Sequence, residues 1–143
     1  MNIKDILRHK GEDVFSVGPG EDVTAVSRAL SQHRIGAALV RDQDGNVLGI
    51  ISERDIVRAV ARDGAAALSR SARDLMTTDL HTATPAMSIA EGLAVMTDRR
   101  CRHLPVMEDG RLAGMVSIGD LVKARIAEAE QEAEHLRAFV TAA

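Results

Sequence analysis

Two short segments of this chain carry the residues best suited to chemistry, and they share one spacing. Ser52 and Asp55 stand three residues apart, and Ser117 and Asp120 repeat the pair at an offset of 65. Each serine follows a short apolar run and precedes a stretch with helical periodicity, which indicates a strand turning into a helix. The first N–H groups of a helix lack internal partners and lie at the positive end of its dipole. A phosphate can therefore dock at each serine, whose hydroxyl adds a donor.

The aspartate of each pair is suited to a sugar. An ionised carboxylate only accepts hydrogen bonds, and it can take both hydroxyls of a cis-diol such as a ribose. Asp55 and Asp120 lie one helical turn beyond their serines, so the spacing can hold a sugar and a phosphate together. The same Ser-x-x-Asp pattern is also a capping box, which merely starts a helix. The two interpretations are compatible, because a capping aspartate can rotate towards a ligand.

The cationic residues around the two pairs are different. Copy one has Arg54 inside its pair, where copy two has Gly119. Copy two instead has Arg100, Arg102 and His103 just before its central strand. The two candidate sites are therefore not equivalent. A solvated charge is the alternative for Arg102, and capping or packing is the alternative for His103.

These pairs belong to a unit that occurs twice in the chain. Residues 47–60 (VLGIISERDIVRAV) align with residues 112–125 (LAGMVSIGDLVKAR), and Gly49 falls opposite Gly114. Each copy is predicted to run strand, helix, strand, strand, helix, with a short helix before it. The predicted strands are 14–17, 37–40 and 47–51 in copy one, and 80–83, 104–107 and 112–116 in copy two. In copy one the predicted helices start at Asp22 and Ser52. In copy two they start at Ser88 and Ser117, and Glu91 is predicted to complete a capping box with Ser88.

The repeat predicts an α/β fold with three regions. We expect repeat 1 over residues 1–66, repeat 2 over residues 67–127 and a helical extension over residues 128–143. A unit of about 60 residues is marginal by itself. We therefore expect the two repeats to pack together around a pseudo-twofold axis, joined by the Ala-rich connector at residues 63–71.

This pattern resembles the CBS domain family, named after cystathionine β-synthase. The marks are Gly-x-x-Ser-x-x-Asp-Ile/Leu-Val in both copies and Arg-His-Leu-Pro-Val at residues 102–106, and the similarity extends to about Arg125. The chain is similar to stand-alone members with two repeats. The resemblance implies a regulatory module that binds AMP, ADP, ATP or another adenosyl compound, such as NAD or S-adenosylmethionine, in the cleft between the repeats. AMP is the preferred candidate, NAD and ATP are alternatives, and no cofactor is required.

The resemblance also implies roles for individual residues. The ribose would lie on Asp55 and Asp120, and the phosphate near Ser52 and Ser117. Arg54 resembles a phosphate-contacting arginine of similar sequences. Arg102 and His103 are the corresponding candidates in copy two. Because the chain has few aromatic residues, we expect the base to be held by other side chains and by backbone groups. The candidates for contacts to the base are Ser16, Val17, Ala37, Thr82, Ala83 and Pro105.

Composition excludes several other classes of protein. The net charge is -3 and the basic residues form no long block, which argues against nucleic-acid binding. Cys101 is the single cysteine and permits no internal disulfide, as in a reducing compartment. Cys101 and His103 are two potential metal ligands, too few for a site. No nucleophile–base pair or apolar membrane span is apparent, so we expect a cytoplasmic, non-enzymatic protein without membrane contact.

The C-terminal region predicts a helix with an apolar seam. From Val122 the apolar positions are Ile126, Ala129, Ala133, Leu136 and Val140, a 4-3-4-3-4 spacing typical of helix–helix packing. The seam could pack on its own domain or on a second subunit, and periodicity does not distinguish the two. We expect a homodimer, with an unidentified protein as the regulated partner. The alternative function is a ligand-free dimeric scaffold.

Overall fold

A computed structural model describes residues 1–142 of the chain. These residues form two compact units, one of residues 14–80 and one of residues 1–13 with 81–142. We call them the first-repeat unit and the second-repeat unit. The first 13 residues thus belong to the unit that contains the second repeat, and residues 67–80 to the unit that contains the first. The repeat boundaries predicted at 66 and 127 describe the sequence pattern and stay a prediction.

The first-repeat unit is a small sheet with helices. Its elements are β1 (Ser16–Val17), α2 (Val23–His33), β2 (Ala37–Arg41), β3 (Val47–Ser52), α3 (Glu53–Asp63), a 3₁₀ helix (Gly64–Ser69) and α4 (Ala72–Leu75), while α1 (Ile3–Lys10) lies in the other unit. The sheet order is β1-β2-β3, with β1 parallel and β3 antiparallel to β2. Aliphatic side chains fill the core. They are Val17, Val26, Leu30, Ala38, Val40, Ile51 and Ala72.

The second-repeat unit has the same plan. Its elements are α1 (Ile3–Lys10), α5 (Ile89–Arg99), β4 (His103–Glu108), β5 (Arg111–Ser117) and α6 (Ile118–Ala142). The strands β4 and β5 pair antiparallel. The helices α2 and α5 are each 11 residues long and each end at an arginine in the left-handed conformation, Arg34 or Arg100, both with φ of 53°. The predicted repeat is therefore present as two mixed α/β units.

Two predicted details are wrong. Residues 80–83 form no strand: Ala83 alone makes a parallel bridge to Val106, and the N–H of Leu80 bonds the carbonyl of Thr78 in a turn. Pro105 on β4 has no N–H to donate to the carbonyl of His81, so the parallel ladder does not extend upstream of Ala83. The helix α5 starts as predicted, with Ser88 accepting the N–H of Glu91. Among the described residues, the glutamate half of that capping box does not form.

The helix α6 continues without a break to Ala142, which confirms the predicted extension beyond the repeat. Leu121 and Ala124 bury one of its faces against the unit core. The predicted seam lies on another face, where Val122, Leu136 and Val140 are 44%, 62% and 71% exposed. Packing of the seam on its own domain is therefore not what the structure shows. None of the helices within residues 1–142 has the length and apolar character needed to cross a bilayer.

Candidate functional site

The first candidate site lies where β3 becomes α3. Ser52 is the N-cap of α3, and its hydroxyl accepts the N–H of Asp55 at 3.3 Å. In turn, Oδ2 of the Asp55 carboxylate accepts two hydrogen bonds from Ser52, one from its N–H at 2.8 Å and one from its hydroxyl at 3.0 Å. This reciprocal pattern is a capping box, so the structural interpretation of the Ser-x-x-Asp motif is confirmed. The half-buried carboxylate is held at the positive end of the helix.

A threonine from the segment after α4 completes this site. Thr77 donates its hydroxyl to Oδ1 of Asp55 at 3.2 Å. Two backbone bonds fix the threonine beside β3, since Thr77 and Ile50 exchange N–H groups and carbonyls at 2.8 and 3.0 Å. Gly49 allows this close approach, because a Cβ there would lie 2.7 Å from the Thr77 carbonyl oxygen. The glycine of the motif thus serves to position the threonine.

The predicted base contacts of the first site lie on neighbouring strands. Ala37 is buried and pairs directly with Ser52 across the antiparallel ladder. Ser16 and Val17 lie on the outer strand, where they pair with Leu39 and Val40 of β2 instead of with β3. The structure therefore brings Ala37 to the box and leaves β1 separated from β3 by one strand.

Arg54, the predicted phosphate contact of the first site, lies in the first turn of α3. The residue is exposed. Its predecessor Glu53 donates its N–H to the carbonyl of Gly36 at 2.9 Å, which ties the helix start to β2. Arg54 is thus a solvent-exposed residue on an anchored stretch of backbone.

The second candidate site repeats the box where β5 becomes α6. Oδ2 of Asp120 accepts the N–H of Ser117 at 2.8 Å, and the Ser117 hydroxyl accepts the N–H of Asp120 at 3.1 Å. Gly114, three residues before the serine, lies against Leu7 of α1, where a Cβ would come within 2.7 Å of a leucine methyl. The two units therefore use the same motif in the same structural way.

A lysine from α1 contacts the second carboxylate. Nζ of Lys10 lies 2.7 Å from Oδ2 of Asp120 and donates a further bond to the carbonyl of Met115 at 3.0 Å. Burial raises the pKa of Asp120, but the bonds from Lys10 and Ser117 and the lysine charge outweigh burial, so its pKa lies below the ordinary value. The carboxylate is consequently ionised at neutral pH and already paired with a cation.

The remaining predicted residues of the second site lie around the start of α6. His103 pairs directly with Ser117, and the carbonyl of Arg102 accepts the N–H of Ile118 at 2.8 Å. Arg102 thus contacts the helix start through its backbone, while the residue itself is exposed. Pro105 is also on β4, two residues beyond His103.

The predicted base contacts before β4 lie beside Pro105. The buried Ala83 donates its N–H to the carbonyl of Pro105 at 2.9 Å, and the adjacent Thr82 is exposed. The predicted residues of the second site therefore lie along β4, at the end of β5 and at the start of α6, with Ala83 beside β4.

Thr77 and Lys10 are functional candidates that sequence reasoning missed. Thr77 is 22 residues from Asp55, and Lys10 is 110 residues from Asp120. The motif glycines carry the available signal, since each marks a close approach of another segment to the strand. Residues 1–142 contain no cluster of three or more His, Cys, Asp and Glu side chains able to hold a metal.

Comparison with known proteins gives a consistent result. The family model "CBS domain" matches residues 3–62 and 72–127. A mitochondrial CBS domain-containing protein of Arabidopsis thaliana is 33% identical over 146 residues, which cover 96% of this chain and 71% of that protein. A crystal structure of a CBS-domain protein from Agrobacterium tumefaciens is 47% identical, with a TM-score of 0.85 over 87% of this chain and 92% of that one.

A further solved structure is a CBS domain pair in complex with 5′-methylthioadenosine and S-adenosyl-L-methionine. It is 22% identical, with a TM-score of 0.78 over 90% of this chain and 98% of that chain. At this identity the likeness concerns the fold.

Proposed function

The chain belongs to the CBS domain family, and on that premise we propose that it is a regulatory module that binds an adenosyl ligand at its two serine–aspartate boxes. Paired domains of this family generally bind adenosyl ligands and serve regulation. One observation carries the proposal: both units present an aspartate at a helix start, held by its serine at 2.8 Å. Both boxes are intact, as a protein with two binding sites requires, whereas a scaffold without ligand would keep them only as helix caps.

The aspartates would bind the ribose hydroxyls. A carboxylate accepts hydrogen bonds from a diol, and the adjacent helix start offers N–H groups and a positive dipole to a phosphate. Arg54 in the first site, and Arg102 with His103 in the second, would add contacts to the phosphate. The bound compounds of the related domain pair, 5′-methylthioadenosine and S-adenosyl-L-methionine, both contain an adenosine ribose, which supports this class of ligand.

AMP is the first candidate among the adenosyl ligands, with ADP, ATP and NAD as alternatives. The base would lie among small and aliphatic residues on and beside the strands, since the chain has two phenylalanines and neither tyrosine nor tryptophan. In the first site these residues are Ser16, Val17 and Ala37. In the second they are Thr82, Ala83 and Pro105.

The proposed role is sensing and not catalysis. Ligand binding would report adenylate state to an unidentified protein partner, and we expect the protein to act in the cytoplasm without nucleic acid or membrane contact. We further propose a homodimer, supported by the exposed apolar seam of α6. Closed twofold dimers are the commonest oligomers of soluble proteins.

The test is a calorimetric titration of the purified, nucleotide-stripped protein with AMP, ATP, NAD and S-adenosylmethionine. The proposal predicts saturable binding of at least one adenosyl compound, and none of guanosine monophosphate at the same concentrations. A dimeric protein that binds no adenosyl compound would contradict the proposal and favour the scaffold function.

A further inference from the structure

The two boxes differ in the donor that reaches the carboxylate from outside the box. Asp55 receives the neutral hydroxyl of Thr77 at 3.2 Å, on the oxygen that the box leaves aside. Asp120 receives the ammonium of Lys10 at 2.7 Å, on the same oxygen that accepts the N–H of Ser117. The first carboxylate therefore keeps its charge available for a ligand, whereas the second is already neutralised by a cation.

The difference originates in the length of two equivalent helices. The helix α4 (Ala72–Leu75) is a single turn, and the chain leaves it to run beside β3. The helix α1 (Ile3–Lys10) is twice as long, and its last residue is the lysine. The additional turn carries the ammonium to the start of α6. There Nζ is held between the Asp120 carboxylate and the carbonyl of Met115, at 2.7 and 3.0 Å.

This ion pair is accessible and therefore breakable. The side chains of Lys10 and Asp120 are 41% and 26% exposed. An exposed pair of this kind contributes only about 0.2–1 kcal/mol, because water screens it and the lysine loses side-chain entropy. Such a contact is strong enough to compete with a sugar hydroxyl, yet weak enough for a ligand to displace.

From this arrangement we propose that Lys10 is an internal cation that competes with the ligand for Asp120 and sets the affinities of the two sites apart. The inference rests on the proposed function, because it assumes that Asp120 binds the ribose. In the first site a ribose hydroxyl would replace the Thr77 hydroxyl on Asp55, so that one neutral hydrogen bond takes the place of another. A ligand entering the second site meets a carboxylate whose charge the ammonium already compensates, so its hydroxyl is bound less strongly while the ion pair persists. The first site consequently fills before the second as the ligand concentration rises.

The experiment uses the full chain with one site removed at a time. Asp55→Ala leaves the second site, and Asp120→Ala leaves the first. In the Asp55→Ala background, Lys10→Met should tighten AMP binding roughly two- to fivefold, the range that corresponds to the strength of an exposed ion pair. In the Asp120→Ala background the same substitution should leave the AMP affinity unchanged. Lys4→Met, which removes a charge from an exposed position of the same helix, is the matched control.

A second arm requires no ligand. The carboxyl pKa of Asp120, followed by NMR in the full chain, should move upwards in Lys10→Met and stay constant in Lys4→Met. Lys10→Gln serves as a second variant, and circular dichroism verifies that each variant is folded. A carboxyl pKa of Asp120 that is identical in wild type and Lys10→Met would refute the ion pair itself.

The ligand results separate the two proposals. Weaker or unchanged AMP binding on Lys10→Met, in a protein whose wild type binds AMP, overturns this inference alone. Weaker binding would identify the lysine as a ligand contact instead of a competitor. Failure of the wild type and of every variant to bind any of AMP, ATP, NAD and S-adenosylmethionine overturns the proposed function and this inference with it.

Discussion

The glycine three residues before each serine decides how closely another segment can lie on the strand. A Cβ at Gly49 would come within 2.7 Å of a backbone oxygen, that of Thr77, and 2.9 Å of the Met76 sulfur. A Cβ at Gly114 would meet the end of the flexible Leu7 side chain at 2.7 Å. A side-chain end can rotate away, whereas a hydrogen-bonded backbone cannot, so the two glycines are not equally constrained.

We therefore expect Gly49→Ala to destabilise the protein more than Gly114→Ala. Overpacking costs about 1–3 kcal/mol in general, and Gly49 should lie at the upper end of that range. Urea unfolding followed by circular dichroism measures the difference. Gly20→Ala is the matched control, because a Cβ there meets nothing within 4 Å. Equal losses in the free energy of unfolding for Gly49→Ala and Gly20→Ala would contradict the close approach of Thr77 to β3.

The ion pair between Lys10 and Asp120 predicts a dependence of stability on acid. Burial opposes ionisation of Asp120, but the bonds from Lys10 and Ser117 leave its pKa lowered in the folded protein. A lowered carboxyl pKa contributes stability that is present above the pKa of the unfolded chain, about 3.9, and lost as the pH falls through the folded pKa. The wild type should exceed Lys10→Met in stability at pH 6 and lose that advantage as the pH falls below the unfolded carboxyl pKa and through the lowered pKa of the folded protein. Urea titrations across this range test it, and a constant difference would contradict the pairing.

The two exposed arginines near the boxes, Arg54 and Arg102, are predicted to recognise the phosphate. If Arg54 and Arg102 contact the phosphate, adenosine should bind more weakly than AMP, because charged hydrogen bonds contribute about 1.5–3 kcal/mol each. Arg54→Ala and Arg102→Ala should each reduce the difference between the affinities for AMP and for adenosine. Calorimetry with both ligands gives the comparison, and Arg58→Ala, an exposed arginine later in α3, is the control. Equal affinity of the wild type for adenosine and AMP would overturn the assignment.

At the level of elements, the sequence predicted the strands and helices that carry the boxes. Alternating and helical periodicities are strong around residues 47–60 and 112–125, and the structure has β3, α3, β5 and α6 there. Segments held mainly by tertiary contacts were harder to predict. The helices α1 and α4 differ in length although residues 3–7 (IKDIL) and 72–76 (ARDLM) follow the same pattern. Residues 80–83 contribute one bridge where a strand was expected. Such short segments are fixed by what they pack against.

The exposed seam of α6 predicts that the helix mediates dimer formation. The helix is about 37 Å long, and Val122, Ile126, Leu136 and Val140 follow one exposed face. Leu136→Glu would introduce a charge into that face, so the dimer should dissociate at concentrations where the wild type remains paired. Sedimentation velocity measures the change.

Gln131→Glu is the matched control for the seam, since it adds the same charge on the opposite side of the helix. A chain ending at Ala127 provides a second test, with weaker dimer formation expected. A wild type that stays monomeric at tens of micromolar, a concentration chosen for the assay, would refute the dimer. Unchanged dimer formation by the truncated chain and by Leu136→Glu would refute the role of the helix.

For the whole molecule, the local half of each candidate site could be predicted and the distant half could not. Ser52 with Asp55, and Ser117 with Asp120, are three residues apart, so one turn of helix fixes their geometry. Thr77 and Lys10 reach those carboxylates only through the fold, and no spacing in the sequence connects them. The repeat indicated that the sites are duplicated. Their inequality depends on a helix that is one turn longer in one unit than in the other.

The most direct test of the central claim is the affinity for AMP of the wild type, Asp55→Ala, Asp120→Ala and the double variant, measured by calorimetry. Loss of a charged hydrogen bond of about 1.5–3 kcal/mol should weaken the altered site at least about tenfold. The account predicts that one site is weakened by at least this factor in each single variant and that both sites are weakened in the double variant, with all four proteins folded. Unchanged AMP affinity and stoichiometry in both single variants would contradict it.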